Sequence, residues 1–196
     1  MFHRIPDAAQ ARMAYLEAVD ARDRGDGTPR AERLRQIPPE TGEFIAVMAA
    51  AAPPGQVLEV GASAGYSSLW LSLACRQRGD RLVTFEILEH KAALARETIA
   101  AAGFEDTIIL VQGDALRHIP EYPAIAFCFL DAEKEVYQAC YDLIVPNLVP
   151  GGILIADNVI SNAEELSPFV SAAQADERLD ALVVPLGKGL LFCRKV

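Results

Sequence analysis

The chain has 196 residues, 52% of them hydrophobic and 23% charged, with a net charge of −9 and a sequence pI near 4.8. That balance builds one packed domain and excludes a disordered chain, and the acidic excess argues against nucleic acid as a partner. The longest clean apolar run, Phe44 to Ala52, is too short to cross a bilayer, and Met-Phe-His-Arg-Ile-Pro-Asp lacks the apolar centre of a signal peptide.

Charge is uneven along the chain. Residues 1–35 hold seven Arg and six acids and sum to +1, which leaves −10 for the remainder. Any attraction for an anionic substrate therefore belongs to the N-terminal segment. Cys75, Cys128, Cys140 and Cys193 form no C-x-x-C pair, and three of them fall in segments that read as buried. Such thiols suit a reducing cytosol, so a cytoplasmic protein with no membrane association is expected.

In chain order, residues 6–24 read as a helix with Ala9, Met13, Leu16 and Asp20 on successive turns. Gly25 to Pro39 is a polar connection, and residues 40–51 form a second helix stopped by Pro53-Pro54-Gly55. Strands then alternate with helices. Gln56–Val60, Arg81–Glu86, Thr107–Val111, Ala124–Leu130 and Gly152–Ala156 read as strands. Helices are expected over Tyr66–Arg76, Glu89–Ala102 and Lys134–Pro146. Ser161 and Glu164 have capping-box spacing ahead of a helix that buries Leu166, Phe169, Val170 and Ala173. Ala181–Val184 and Gly189–Cys193, joined by a short Pro185–Lys188 turn, suit a closing antiparallel hairpin. Continuous apolar strands between amphipathic helices mean an α/β fold, with a mostly parallel sheet covered on both faces. Ligands in such sheets bind beyond the C-terminal strand ends.

The first strand runs into Glu59-Val60-Gly61-Ala62-Ser63-Ala64-Gly65-Tyr66-Ser67. Its glycines permit a tight turn and a close ligand, and the next helix offers amides and Ser67 to an anionic group. G-x-G-x-x-G is absent, which argues against a NAD-dependent enzyme. Gly61 to Gly65 also spell G-x-S-x-G, but a hydrolase triad needs a late His, and only His90 and His118 follow Ser63. Neither these nor His3 shows metal-ligand spacing. Trp70 reads as core.

Glu86, at the second strand end, can accept two hydrogen bonds from vicinal ribose hydroxyls. Asp114, in Gly113-Asp114-Ala115, can accept from an adenine amino group or cap a short helix. Asp131, Asp157 and Asn158 end the next two strands, about 5 Å apart. Two carboxylates and an amide oxygen make a hard-cation site, with Mg²⁺ the first expectation and Ca²⁺ or Mn²⁺ also fitting. Without a cation one carboxylate would have a raised pKa. Lys134 sits against the dipole at a helix start, where a functional cation fits better than a solvated one.

Together these stretches resemble the metal-dependent O-methyltransferases that include catechol and caffeoyl-CoA O-methyltransferases. The matching residues are Val57 to Ser67, Phe85-Glu86, Gly113-Asp114-Ala115, Leu130-Asp131-Ala132-Glu133-Lys134 with Tyr137, and Pro150-Gly151-Gly152 through Val159. Pro39 to Phe44 is similar to the family's segment ahead of the first strand. The resemblance implies a Rossmann-like class I fold, a seven-stranded sheet and a homodimer. It makes residues 1–196 one domain, with a helix and lid-like segment over 1–39 and the core over 40–196.

It also implies that Glu59, Gly61, Ser63, Gly65, Ser67, Glu86, Asp114, Ala115 and Asp131 bind S-adenosylmethionine. Asp131, Asp157 and Asn158 would hold the metal, and Lys134, with Asp131, would be catalytic. The substrate would be a small hydroxylated aromatic. Two departures stand out. Glu133 replaces a common Asp between the metal and base positions. Gly187-Lys188-Gly189 stands where Gly-Asp-Gly is frequent, a change that bears on substrate preference. The alternatives are a tRNA hydroxyuridine O-methyltransferase on the same scaffold and a non-catalytic S-adenosylmethionine-binding protein.

Overall fold

The structure is a computed structural model that describes residues 4–30 and 32–196; His3 lies outside them. The elements follow the expected order. They are α1 (Asp7–Gly25), α2 (Pro39–Ala51), β1 (Gln56–Val60), α3 (Tyr66–Arg78), β2 (Leu82–Glu86), α4 (Glu89–Ala102) and β3 (Ile108–Gln112). Then come a single turn α5 (Ala115–His118), β4 (Ile125–Leu130), α6 (Tyr137–Asn147), β5 (Leu148–Ala156), α7 (Ala163–Ala175), β6 (Leu179–Val184) and β7 (Leu190–Lys195).

The seven strands lie in the order β3-β2-β1-β4-β5-β7-β6. The first five are parallel, and β7 runs antiparallel to both β5 and β6. The chain moves outward from β1 to β3, then crosses back to lay β4 on the other side of β1. A crevice opens where the order reverses, above the C-terminal ends of β1 and β4.

Alternation along each strand feeds two cores. Val57, Leu82, Phe127, Phe129, Ile153 and Ile155 face the layer of α1, α2 and α3. Leu58, Val60, Val83, Phe85, Cys128, Leu130 and Leu154 face the layer of α6 and α7. Each fully buried Phe contributes about 2–3 kcal/mol by leaving water. Trp70 joins the first core, where a Cβ on Gly42 would stand 2.3 Å from its ring. α1 buries Ala9, Met13, Leu16 and Asp20, the face read from the sequence. All four cysteines are buried and unbridged. No helix among the described residues is long and apolar enough to cross a membrane.

Most boundaries fall within two residues of the sequence reading, and three features depart further. A 3₁₀ turn over Lys134–Val136 precedes α6. β5 begins at Leu148, paired with Ile125, rather than at Gly152. The capping box does not form. The N-cap of α7 is Asn162, without a side-chain cap bond, and the Ser161 hydroxyl instead contacts the Asn158 carbonyl at 3.4 Å and Asn162 Oδ1 at 3.1 Å. The tight loop after Asn158 takes up the hydroxyl that the box would have used.

Candidate active site

The floor of the crevice is backbone. Gly61 adopts φ +101° and passes so near Asp131 that a Cβ there would lie 2.1 Å from the Asp131 carbonyl oxygen. The amides of Gly61 and Ala62 both donate to the Phe85 carbonyl, at 3.0 and 3.1 Å. Ser63 follows in the left-handed region at φ +47°, uncommon for a residue with a side chain. Its amide donates to Glu86 Oε2 at 2.8 Å, and Glu86 Oε1 accepts the Leu88 amide at the same distance. Glu86 thus holds the glycine turn against the loop after β2. Gly65 caps α3, and Ser67 lies in the first turn of that helix.

Glu59 is fully buried beneath this turn. Its Oε2 accepts from Ser68 and, at 2.6 Å, from Thr84. Its Oε1 has no partner, and burial pushes its carboxyl above the usual range. Asp114 caps α5, accepting the Leu116 amide at 3.0 Å, and Ala115 is the first residue of that turn.

The polar residues at the ends of β4 and β5 do converge. The Asn158 amide donates to Asp131 Oδ1 at 2.7 Å, and Asn158 sits in the left-handed region at φ +69°. Lys134 Nζ donates to the Ala132 carbonyl at 2.8 Å and to the Tyr137 hydroxyl at 2.7 Å, and lies 3.4 Å from Asp131 Oδ1. Tyr137 in turn donates to the Asp157 carbonyl at 3.1 Å. Burial holds the Tyr137 hydroxyl far above its ordinary value, so it stays a neutral donor.

Asp157 is fully buried, and neither carboxylate oxygen has a hydrogen-bond partner. Burial, reinforced by the Asp131 charge, raises its pKa to about 7. An unpartnered buried carboxylate costs several kcal/mol in its charged form. Among the described residues no three His, Cys, Asp or Glu side chains gather as a metal cluster; the set here is two carboxylates and an amide.

A cleft of about 890 Å³ opens over these groups. Gly61, Ser63, Ser67, Asp131, Lys134 and Asn158 line it, whereas Glu59, Gly65, Glu86, Asp114, Ala115 and Asp157 stand behind or beside its walls. The connection between α1 and α2 forms the roof, which sequence reading left as a polar lid-like segment. Three tethers hold it. The Ser63 hydroxyl donates to the Leu34 carbonyl at 3.0 Å. Buried Lys91 donates to the carbonyls of Glu32 and Arg33, at 3.1 and 2.7 Å. Arg35 pairs with Glu133. A lysine within a run of alanines on α4 was the one available sign of the second tether.

A family model described as O-methyltransferase matches residues 26–196. A catechol O-methyltransferase of Niastella koreensis is 29% identical over 154 residues, which is 75% of this chain and 69% of that protein. One of Mycobacterium tuberculosis is 32% identical over 123 residues, 62% of this chain and 56% of that protein. An SAH-bound methyltransferase structure from Podospora anserina superposes with a TM-score of 0.82 at 23% identity, covering 99% of this chain and 90% of that one. An O-methyltransferase from Bacillus cereus in complex with SAH gives 0.80 at 24%, covering 95% and 91%. With the family model spanning most of its length, this chain belongs to the O-methyltransferase family, a class I enzyme that uses S-adenosylmethionine.

Proposed function

We propose that the enzyme methylates a hydroxyl of a small catechol-like or phenolic substrate, with a divalent cation held by Asp131, Asp157 and Asn158. The single observation behind this reading is Asp157, whose two buried oxygens have no partner beside a second carboxylate. That donor set fits a hard cation, Mg²⁺ before Mn²⁺ or Ca²⁺. Turning the Asn158 amide would present its oxygen to the same point. The catechol and caffeoyl-CoA names of its relatives support the substrate class.

When bound, S-adenosylmethionine supplies an electrophilic methyl group, and the cation supplies positive charge that eases loss of a proton from an aryl hydroxyl near pKa 10. The chain's own residues do the rest. Gly61 and Ser63 form the bed for the cofactor, with Glu86 fixing that bed from behind. Glu59, Gly65, Ser67, Asp114 and Ala115 support the same pocket. Lys134, fixed by the Ala132 carbonyl and Tyr137, places a cationic group beside Asp131. There the ammonium offsets the negative charge that develops on the oxygen, and only after giving up a proton could the same nitrogen, as a neutral amine, take the hydroxyl proton. The strap over residues 32–37 covers the cleft above these groups.

We take the working form to be a homodimer in the cytoplasm; four buried free thiols support the reducing compartment. The deciding assay measures transfer from labelled S-adenosylmethionine to catechol, a flavonoid, a hydroxycinnamoyl thioester and tRNA, with and without chelator. Transfer to a catechol-type compound that stops with chelator and returns with Mg²⁺ is expected. Full transfer in excess chelator would remove the metal, and transfer to tRNA alone would replace the substrate class.

A further inference from the structure

Lys188 sits in the two-glycine turn between β6 and β7 and lines the cleft. A lysine at a hairpin tip is usually solvated and mobile, but this one stands on a fixed base. Its carbonyl accepts two amides, from Ile160 at 3.2 Å and Ser161 at 2.9 Å, in the loop that directly follows Asn158. A Cβ on Gly187 would stand 2.3 Å from the Thr41 hydroxyl, and one on Gly189 would stand 2.3 Å from the Ile160 side chain. The turn is therefore wedged between the start of α2 and the Ile160 loop.

The side chain is half-buried and makes no hydrogen bond or ion pair among the described residues, although Glu165 lines the same cleft. Its charge acts on Asp157 and lowers the cost of that carboxylate. Lys134, by contrast, is occupied by three acceptors. Ile160, 51% exposed, puts apolar surface next to the Lys188 backbone. Arg30 and Arg33 line the cleft from the connection ahead of α2, and neither forms an ion pair among the described residues. A protein of net charge −9 thus keeps cations without an acidic partner at this opening, although Arg33 Nε donates to the Thr28 carbonyl at 2.7 Å.

We propose that Lys188 is a specificity-determining residue that selects an aromatic acid, a hydroxylated ring bearing a carboxylate, over a neutral catechol. The proposal rests on the catechol-type reading above and narrows it. A half-buried ammonium with no partner gains a charge-assisted hydrogen bond from the carboxylate, which is worth roughly tenfold in affinity.

The experiment compares 3,4-dihydroxybenzoate and caffeate with their neutral primary amides. Wild type, Lys188→Ala, Lys188→Glu and Lys188→Arg are each assayed for kcat/KM and, separately, for equilibrium binding to the SAH-loaded protein. The substituent's effect on hydroxyl acidity is the same for every variant, so it cancels in the comparison. The acid-to-amide ratio of wild type should exceed that of Lys188→Ala by roughly tenfold, Lys188→Glu should fall below Lys188→Ala, and Lys188→Arg should keep the wild-type ratio. An acid-to-amide ratio that is the same in all four proteins overturns the proposal, as does an equal weakening of acid and amide. If none of these compounds is methylated, the catechol reading fails, while the binding ratios still decide the role of Lys188.

Discussion

Gly61 and Asp131 lie back to back across the sheet's reversal point, with room for a hydrogen but not a methyl group between Gly61 Cα and the Asp131 carbonyl. The glycine turn after β1 and the end of β4 are thereby locked to one another. The Asp131 amide, bonded to the Val60 carbonyl at 2.9 Å, completes the lock.

Gly61→Ala should therefore fail twice over. It imposes a side chain at φ +101° and drives Cβ into backbone that cannot yield cheaply. A loss of about 2 kcal/mol or more in stability is expected, together with a fall in SAH affinity. Thermal unfolding and calorimetry read the two effects. Wild-type values for both would mean that the contact is looser than described.

Asp157→Asn removes a buried charge that has no protein partner. In wild type without metal, the raised pKa means that folding favours the protonated acid. The stability this provides is fully present below the unfolded value near 4 and is lost as pH rises through about 7. The metal-free variant should thus become the more stable of the two by pH 8, by an amount on the order of a few kcal/mol. Glu59, raised in the same direction, is common to both proteins and cancels. Added Mg²⁺ should raise the Tm of wild type at pH 8 and leave the variant unmoved. A variant that still responds to Mg²⁺ would take Asp157 out of the metal site.

Lys134→Ala should lower kcat by roughly a hundredfold or more, with SAH affinity changing little. Tyr137→Phe is the finer probe, since the hydroxyl links Lys134 to the Asp157 backbone. It should cost about 1 kcal/mol of stability and roughly tenfold in kcat. Wild-type turnover in the Phe variant would show that Lys134 needs no such guide.

The strap gives a contrast between an exposed tether and a buried one. Arg35 and Glu133 are well exposed, so Arg35→Ala should change stability by less than about 1 kcal/mol. Lys91 is buried and serves two carbonyls, so Lys91→Ala should cost more, about 1–3 kcal/mol. Denaturant unfolding of both variants ranks them, and the reverse order would contradict the burial argument.

Much of this molecule was legible in its sequence because strand ends are easy to find. Asp131, Asp157 and Asn158 each close an apolar run, and parallel topology must bring such ends together. The closing hairpin was legible because Pro185 to Lys188 leaves no length for a crossover helix. What escaped depended on long-range packing. Nothing local in residues 32–37 announces that their carbonyls will be gripped by Lys91 and Ser63. The failed capping box has the same origin, because Ser161 was drawn into the loop set by Asn158. Asp114 shows the limit of a motif, for spacing alone left it as adenine contact or helix cap, and its carboxylate caps α5.

The four covered sulfurs make the molecule its own reporter of opening. Burial pushes Cys75, Cys140 and Cys193 up to about 12 and holds Cys128 well above its ordinary value, so at pH 8 none is a nucleophile in the fold. In the unfolded chain all four return to ordinary thiols near 8.5 and react with an alkylating reagent. Cys75 belongs to the core on one face of the sheet, and Cys128, Cys140 and Cys193 belong to the core on the other. Simultaneous labelling would therefore mark a single cooperative unit, whereas early labelling of Cys75 alone would name the strap-side layer as the first to part.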